Sequence, residues 1–168
     1  MTKENMKITN KHTRIIEKPI SDVSVLLNSL SSNDDQLWPH ENWAPIKLDR
    51  ELSEGATGGH GPIKYVITEF KPGRKINFRF IEPSNFQGNH WFELIEKGEN
   101  KTEISHTIKM NVAATAIIPW LIMIRPTHDA LIEDSFDKVQ LKLGLTFQRK
   151  KWSFWVRLLK KTIMKKPA

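Results

Sequence analysis

The chain has 168 residues, 39% of them hydrophobic and 27% charged, so it can fold around a core and is not a disordered chain. It contains no cysteine, which excludes disulfides, thiol catalysis and cysteine-ligated metals. The net charge is +7, but the last twenty residues hold eight basic side chains and no acidic one, which leaves −1 for residues 1–148. The basic character belongs to the tail and does not indicate a body that binds nucleic acid.

The start of the chain carries no extended apolar run. Residues 1–11 are polar and are predicted to form a flexible N-terminus, not a signal peptide. The longest uncharged run, Met110–Ile124, is too short to cross a bilayer and contains Pro119. We therefore expect a cytoplasmic protein.

The next segment is predicted to form a strand and two short helices. His12–Ile20 mixes apolar and polar residues in the manner of a strand. The first helix is capped by Ser21 or Asp22 and ends at Leu30. Ser31–Asp35 interrupts it, and the second helix begins there.

A further strand and a glycine-rich loop follow. Ile46–Leu52 is predicted to be the strand, and Glu54–Gly61 is predicted to be a tight loop because its glycines permit sharp turns. No Lys-Ser or Lys-Thr pair follows these glycines, and they lead into a strand, so they do not indicate a phosphate-binding loop.

Four antiparallel strands joined by short turns form the centre of the predicted fold. They are Pro62–Phe70, Arg74–Glu82, Asn89–Lys97 and Thr102–Val112. Apolar and aromatic residues alternate with polar ones in these strands, and turn-forming residues separate them. A sheet with one apolar face needs a second layer to cover that face.

A long amphipathic helix after the meander can supply this layer. Its predicted range is Thr127–Leu143, and Gly144 is placed to end it. Pro126 is expected to break or kink the apolar segment before it, because its ring clashes with the carbonyl four residues earlier. The apolar stripe of the helix comprises Ile132, Phe136, Val139 and Leu143.

Several segments carry a resemblance to known proteins. They are Leu37-Trp38-Pro39, Gly58-Gly59-His60-Gly61-Pro62-Ile63-Lys64-Tyr65, Phe78-Arg79-Phe80 and the run from Arg125 to Asp134. On these residues the chain resembles bacterial members of the helix-grip superfamily, which includes START lipid-transfer domains, the birch-pollen-allergen fold and polyketide cyclase/dehydratase-like proteins. The resemblance implies an α+β fold in which a curved antiparallel sheet wraps around the long C-terminal helix.

The resemblance also implies a ligand-binding domain at residues 12–147, with a cavity between the sheet and the helix. Trp38 and Trp43 are candidates for the cavity mouth. The candidate ligand-contacting residues are Tyr65, Phe78, Phe80, His90, Phe92, Ile104, His106, Ile108, Trp120, Ile132 and Phe136. The same apolar residues can instead fill a solid core, and the sequence pattern is compatible with either arrangement.

Two histidines occupy the apolar faces of neighbouring predicted strands and suggest a metal pair. The predicted register places Gly98 opposite Thr102. His90 and His106 are then four residue steps apart, roughly 13 Å. A slip of two residues would shorten this to about 7 Å, still long for shared ligation. We expect no metal site and no cofactor, and instead a buried hydrogen-bonded histidine or a polar contact to ligand.

Three residues are candidates for catalysis. His60 is expected to pack near the start of the long helix, where His128 and Asp129 lie. The aspartate could orient either histidine as a general base. Alternatively, Asp129 stabilises the first turn of the helix through the helix dipole.

The C-terminal tail, residues 148–168, is basic and amphipathic. Aromatic and aliphatic residues recur at helical spacing, and basic residues fill most of the opposite arc, as in helices that lie on anionic membranes. The candidate membrane-binding residues are Lys150, Lys151, Trp152, Trp155, Arg157, Lys160 and Lys161. The alternatives are docking on the body, self-association, a partner groove and, less favoured, nucleic acid.

The hypothesis drawn from the sequence is a protein that binds a hydrophobic small molecule or lipid, with its tail at the inner face of a membrane. One alternative is a cyclase/dehydratase- or hydrolase-type enzyme that uses His60, His128 or Asp129. Another is an interaction protein without a ligand.

Overall fold

The computed structural model describes residues 5–163, in which seven strands form one antiparallel sheet. The strands are β1 Asn5–Ile16, β2 Lys47–Leu48, β3 Thr57–His60, β4 Ile63–Lys71, β5 Lys75–Glu82, β6 Phe86–Gly98 and β7 Lys101–Ala113. Their order across the sheet is β1-β7-β6-β5-β4-β3-β2. The predicted four-strand meander is present as β4 to β7.

The helices lie between β1 and β2 and after β7. They are α1 Ile20–Asn28, α2 Ile117–Pro119, α3 Arg125–Lys142 and α4 Phe154–Ile163. A 3-10 turn at Ala114–Ala116 precedes α2, and a π-helical segment at Trp120–Ile124 joins α2 to α3. The chain therefore runs as one helical stretch from the end of β7 to Lys142.

The curved sheet packs against α3, so the predicted α+β architecture is confirmed. Ile132, Phe136 and Val139 of α3 are fully buried, as their stripe predicted. Register shifts in β4, between Ile67 and Glu69, and in β6, near Gly98, mark bulges, which bend the strands they occupy.

The N-terminal strand is longer than the sequence pattern indicated. β1 pairs with β7 along its whole length, from Asn5 opposite Ala113 to Ile16 opposite Thr102. The prediction that residues 1–11 are flexible was wrong for residues 5–11, because their backbone groups continue this ladder. Residues 1–4 lie outside the described part of the chain.

The structure has one short helix after β1, not two. α1 begins at Ile20 directly after Pro19, without the predicted side-chain cap. The second predicted helix is a series of turns, because the Asp35 carboxylate accepts the backbone N–H groups of Leu37 and Trp38 at 2.9 and 2.8 Å. These local hydrogen bonds compete with a helical ladder.

The predicted loop Glu54–Gly61 is a turn at its two ends, where Gly55 and Gly61 have positive φ, but Thr57–His60 within it is strand β3. Gly58 and Gly59 of β3 pair with β2 on one side and β4 on the other. A Cβ at Gly58 would collide with the carbonyl of Lys47, and one at Gly59 would collide with the carbonyl of Ile63. Glycine is needed here because neighbouring backbone approaches closely, not because the chain turns.

Candidate functional site

A cavity of about 590 Å³ lies between the sheet and the helical layer. Its walls come from the segment after α1, from β3 to β7, from the helical stretch after β7 and from α4. Ala44, Gly61, Pro62 and Met123 line it and are exposed, so the cavity opens on their side. Its apolar walls comprise Trp38, Trp43, Ile63, Phe80, Phe86, Ile108, Trp120, Ile124 and Leu131.

Four histidines line the cavity, together with Thr127 and Lys160: His60, His90, His106 and His128. His90 and His106 are brought together by the pairing of β6 with β7, which places Phe92 opposite His106 and His90 opposite Ile108. Nδ1 of His90 lies 3.3 Å from Nε2 of His106.

The predicted separation of His90 and His106 was wrong. The bulge near Gly98 places that glycine opposite Lys101 and shifts the two strands relative to the predicted register. The ring centroids are 5.5 Å apart, so the histidines touch each other. The register of a hairpin depends on its turn and bulges, which the alternation of residues does not specify.

Burial keeps the paired histidines neutral. It lowers the pKa values of His90 and His106 well below the usual value, and the other cavity histidines lower them further. Nε2 of His90 and Nδ1 of His106 are buried without a hydrogen-bond partner among residues 5–163. Each ring of this pair therefore keeps one uncharged, buried nitrogen without a partner in the described part of the chain.

His60, the third cavity histidine, lies where β3 meets β4. Its Nδ1 is 3.2 Å from the hydroxyl of Tyr65, and its ring centroid is 4.9 Å from that of Trp38. Burial lowers the pKa of His60 to about 3, with a smaller effect from the proximity of His128. A base this weak is neutral at pH 7 and binds a proton poorly.

The predicted partnership of His60 with Asp129 is not formed. Asp129 does not line the cavity; its carboxylate faces β1, where Oδ1 accepts hydrogen bonds from Asn10 at 2.8 Å and His12 at 3.0 Å. Nδ1 of His128 lies 3.8 Å from the same oxygen. Burial raises the pKa of Asp129, but the hydrogen bonds from His12 and Asn10 and the nearby ring of His128 outweigh burial and lower it overall.

His12 is a site residue that the sequence reasoning missed. Its ring nitrogens lie 2.9 Å from Oε1 of Glu133 and 3.0 Å from Oδ1 of Asp129. Burial lowers the pKa of His12, but the two carboxylates raise it overall. The alternation of Asn10, His12 and Arg14 along β1 could have indicated one polar face, had the strand been predicted to begin earlier.

The cavity accounts for part of the candidate ligand-contacting set. Phe80, His90, His106, Ile108 and Trp120 line it. The other six candidates are buried in the core outside the lining: Tyr65, Phe78, Phe92, Ile104, Ile132 and Phe136. Four of these residues lie on strands and two on α3, and all six pack in one hydrophobic core with residues of α1.

The tail docks on the body beside the cavity. Asp134, which is 4% exposed, accepts the indole N–H of Trp43 at 2.8 Å and that of Trp152 at 3.1 Å. Lys160 of α4 lines the cavity, with its ammonium 3.8 Å from the ring centroid of Trp152. Burial lowers the pKa of Lys160. Docking, one of the alternatives for the tail, is therefore present.

Much of the tail still faces solvent. Lys150, Lys151, Trp155, Arg157 and Lys161 are exposed, whereas Trp152 and Lys160 turn toward the body. Residues 164–168 lie outside the described range. None of the helices between residues 5 and 163 combines the length and apolarity that crossing a membrane requires.

Comparisons with solved structures agree on the architecture. A norcoclaurine synthase from Thalictrum flavum, solved with a transition-state analogue, superposes with a TM-score of 0.64 over 84% of this chain and 98% of that chain, at 11% identity. A protein from Thermobifida fusca superposes with a TM-score of 0.63 over 84% of this chain and 99% of that chain, at 14% identity.

CalU16 from Micromonospora echinospora superposes with a TM-score of 0.55 over 95% of this chain and 92% of that chain, at 11% identity. The chain has the helix-grip fold. No protein-family model matches it, and no curated protein matches it in sequence. At these identities the likeness concerns the helix-grip fold and not a particular activity.

Proposed function

We propose that this helix-grip protein binds a hydrophobic small molecule or lipid in the cavity between its sheet and helices. The observation that carries the proposal is an apolar cavity of about 590 Å³ that opens at one side. Cavities of about 300–1,000 Å³ with a few convergent polar groups are typical of small-molecule sites.

The cavity histidines favour a ligand with an apolar body and one polar group. His90 and His106 line the cavity as neutral rings, and each has a buried nitrogen without a partner among residues 5–163. A small ring rotation would let these nitrogens hydrogen-bond a ligand hydroxyl. The remaining wall consists mainly of aromatic and aliphatic side chains. An apolar ligand that covers them removes apolar surface from water, and this favours binding.

Ligand binding can be tested directly on the purified full chain. Organic extraction followed by mass spectrometry is expected to recover a hydrophobic compound. If no compound co-purifies, the native protein is expected to bind a dansyl-labelled fatty acid saturably, with one molecule per chain. The absence of both a co-purified compound and saturable probe binding would contradict the proposal.

We also propose that the tail contacts an anionic membrane surface at the inner face of the membrane, next to the cavity opening. The support is a group of exposed apolar side chains on two neighbouring helical segments: Ile118, Leu121, Ile122, Met123, Phe154, Trp155 and Leu158. The two segments touch, because Trp155 donates its indole N–H to the carbonyl of Ile122 at 2.7 Å.

The charge around this group favours anionic lipid. Residues 143–163 include six basic residues and no acidic one, and residues 110–128 carry Arg125 and no acid. Each basic residue near an anionic surface contributes about 1 kcal/mol of attraction. Membrane contact here would place the cavity opening close to a source of hydrophobic ligand.

Liposome flotation tests this part of the proposal. Binding is expected to phosphatidylglycerol vesicles and not to phosphatidylcholine vesicles, and to weaken at least tenfold in the double variant Arg157→Glu, Lys161→Glu. A matched control is Lys47→Glu with Lys97→Glu, which carries the same charge change on the strands. Equal loss in both double variants would rule out a specific role for the tail.

A second candidate is an enzyme of the cyclase/dehydratase or hydrolase type. The observation that favours it is that His60 and His128 line the same cavity. His128 is the better candidate for moving a proton, because Asp129 opposes the lowering of its pKa by burial. Burial leaves His60 with a pKa of about 3. Once a ligand is identified, its conversion by wild type and not by His128→Gln would support this candidate.

A further inference from the structure

Three side-chain atoms at the junction of β1 and α3 have the chemistry of a metal site. Nε2 of His12, a ring nitrogen of His128 and a carboxylate oxygen of Asp129 all lie within 4.8 Å of one another. We propose that these residues bind a divalent first-row transition-metal ion such as Zn²⁺. Two imidazoles and one carboxylate form a donor set that such ions accept readily.

The distances suit an ion of this size. Oδ1 of Asp129 lies 3.0 Å from Nε2 of His12 and 3.8 Å from Nδ1 of His128. At metal–ligand lengths of about 2.0–2.2 Å, two ligands of a tetrahedral ion are about 3.4 Å apart. Small side-chain rotations therefore bring the three atoms onto one ion, and at least one coordination position stays open.

The surrounding residues already hold the proposed ligands in place. The second nitrogen of His12, Nδ1, is 2.9 Å from Oε1 of Glu133, whose other oxygen is bound by Arg14 at 2.8 Å. The amide of Asn10 donates to Oδ1 of Asp129 at 2.8 Å. Ligating histidines typically donate their other N–H to a carboxylate, which fixes the ring orientation.

Unused polar atoms supply a second, independent observation. Oδ1 of Asn10, Nδ1 of His106 and Nδ1 of His128 are buried and have no hydrogen-bond partner in the described range 5–163. Asn10 and His106 are 6% and 2% exposed, and the rings of His106 and His128 are 5.0 Å apart. Two of these atoms belong to residues beside the Asp129 carboxylate: the amide of Asn10 is bonded to Oδ1, and Nδ1 of His128 lies 3.8 Å from it. Unpaired buried atoms at this place point to a missing partner.

The simpler alternative is a protonated His12 that bridges two carboxylates without a metal. This arrangement provides hydrogen-bond partners for His12 and Asp129. It leaves Nδ1 of His128 without a partner among residues 5–163. A metal ion replaces the proton on Nε2 of His12 and also takes up the lone pair of His128. The Nδ1–H of His12 stays in its hydrogen bond to Glu133.

This proposal is independent of hydrophobic ligand binding, because Asp129 does not line the cavity and neither does His12. The site nevertheless touches the cavity through His128, which belongs to both.

Equilibrium dialysis of tag-free, chelator-treated protein against Zn²⁺ tests the site. One ion per chain is expected for wild type. Zn²⁺ affinity should fall at least 100-fold in His128→Ala and Asp129→Asn, and about 10–100-fold in Glu133→Gln. His40→Gln is the matched control, because His40 is a half-exposed histidine on another surface, and it should bind like wild type. Equal losses in the control, or no stoichiometric binding by wild type, would overturn the proposal.

A measurement on wild type keeps the test valid if the variants fail to fold. Co²⁺ added to the full chain is expected to produce paramagnetic shifts in the NMR signals of the His12 and His128 rings. Shifts centred on His40, or spread over surface carboxylates, would refute the site even if one ion binds.

Discussion

Trp155 donates its indole N–H to the backbone carbonyl of Ile122 at 2.7 Å. In a regular α-helix this carbonyl would accept the N–H of the residue four positions later, which is Pro126 and has no N–H. Of the predicted break or kink, a break is absent: the π-helical segment Trp120–Ile124 continues directly into α3. The tail thus supplies a donor to a helix carbonyl that the proline cannot bond.

The first prediction concerns this contact. Trp155→Phe keeps an aromatic ring but removes the donor, and a hydrogen bond of this kind contributes about 1 kcal/mol. Backbone amide exchange in residues 154–163 is expected to rise about fivefold, measured by mass spectrometry. Phe154→Leu is the control, since Phe154 is 73% exposed and its substitution should leave exchange unchanged. Identical exchange in both variants would show that the indole contact does not hold α4.

The second prediction concerns Arg14. Its guanidinium binds Glu133 at 2.8 Å and also binds Asp137, which is buried. Arg14→Leu leaves the Asp137 carboxylate buried without its charge partner, so the free energy of unfolding should fall by about 3–5 kcal/mol, measured by urea denaturation.

The matched control for Arg14 is Arg50→Leu. Arg50 pairs with Asp49 on the exposed surface, where water screens the attraction. The urea midpoint of this variant should stay at the wild-type value. A midpoint shift equal to that of Arg14→Leu would mean that burial of the carboxylate does not explain the effect.

The third prediction is acid sensitivity caused by the neutral cavity histidines. The unfolded chain protonates His60 near pH 6.5, whereas the folded chain does so only near pH 3, because burial lowers its pKa. Between these values the unfolded state binds more protons, so stability is lost as the pH falls. His60 alone contributes up to about 1.4 kcal/mol per pH unit to this slope.

Urea unfolding of His60→Phe between pH 7 and pH 4 measures this contribution. The variant should show a shallower decline than wild type. Tyr65→Phe is the control, because it removes the hydrogen-bond partner of His60 but keeps the histidine, and its slope should remain steep. Parallel slopes for wild type and His60→Phe would contradict the assignment.

The fourth prediction separates the cavity from the core. Ile108 lines the cavity, and Ile108→Trp should fill part of it and weaken binding of the dansyl fatty acid at least tenfold. Ile132 is fully buried outside the lining, and Ile132→Val should cost about 0.5–1.5 kcal/mol of stability without changing probe affinity. Equal probe affinity in wild type and Ile108→Trp would place the ligand elsewhere.

The alternation of residues located the elements well because it depends on short-range geometry. The faces of Phe78, Phe92 and Ile104 could be assigned from the sequence, since neighbouring side chains on a strand point to opposite sides. Whether a face meets open space or another side chain depends on the helix packed against it. The pattern therefore predicted buried residues and did not separate the cavity lining from the core.

The polar residues of α3 also show that the residue pattern alone does not determine the surroundings of a side chain. Glu133, Asp134 and Asp137 fall outside the apolar stripe, yet Asp134 and Asp137 are buried. β1 supplies Arg14 as a partner for Asp137, and Trp43 before β2 and Trp152 of the tail supply indole N–H groups to Asp134. Such partners lie far away in sequence, so the local spacing of residues does not predict them.

By itself, the sequence determined the meander, the long helix with its apolar stripe and the separation of the basic tail from a nearly neutral body. Periodicity and composition are local properties of the chain, and they decide which residues prefer burial. Only the tertiary structure decided that His90 touches His106, that His12 meets Asp129 and that the tail docks beside the cavity. Each of these depends on strand register or on packing between distant segments, where many weak contacts compete and the total free energy selects one arrangement.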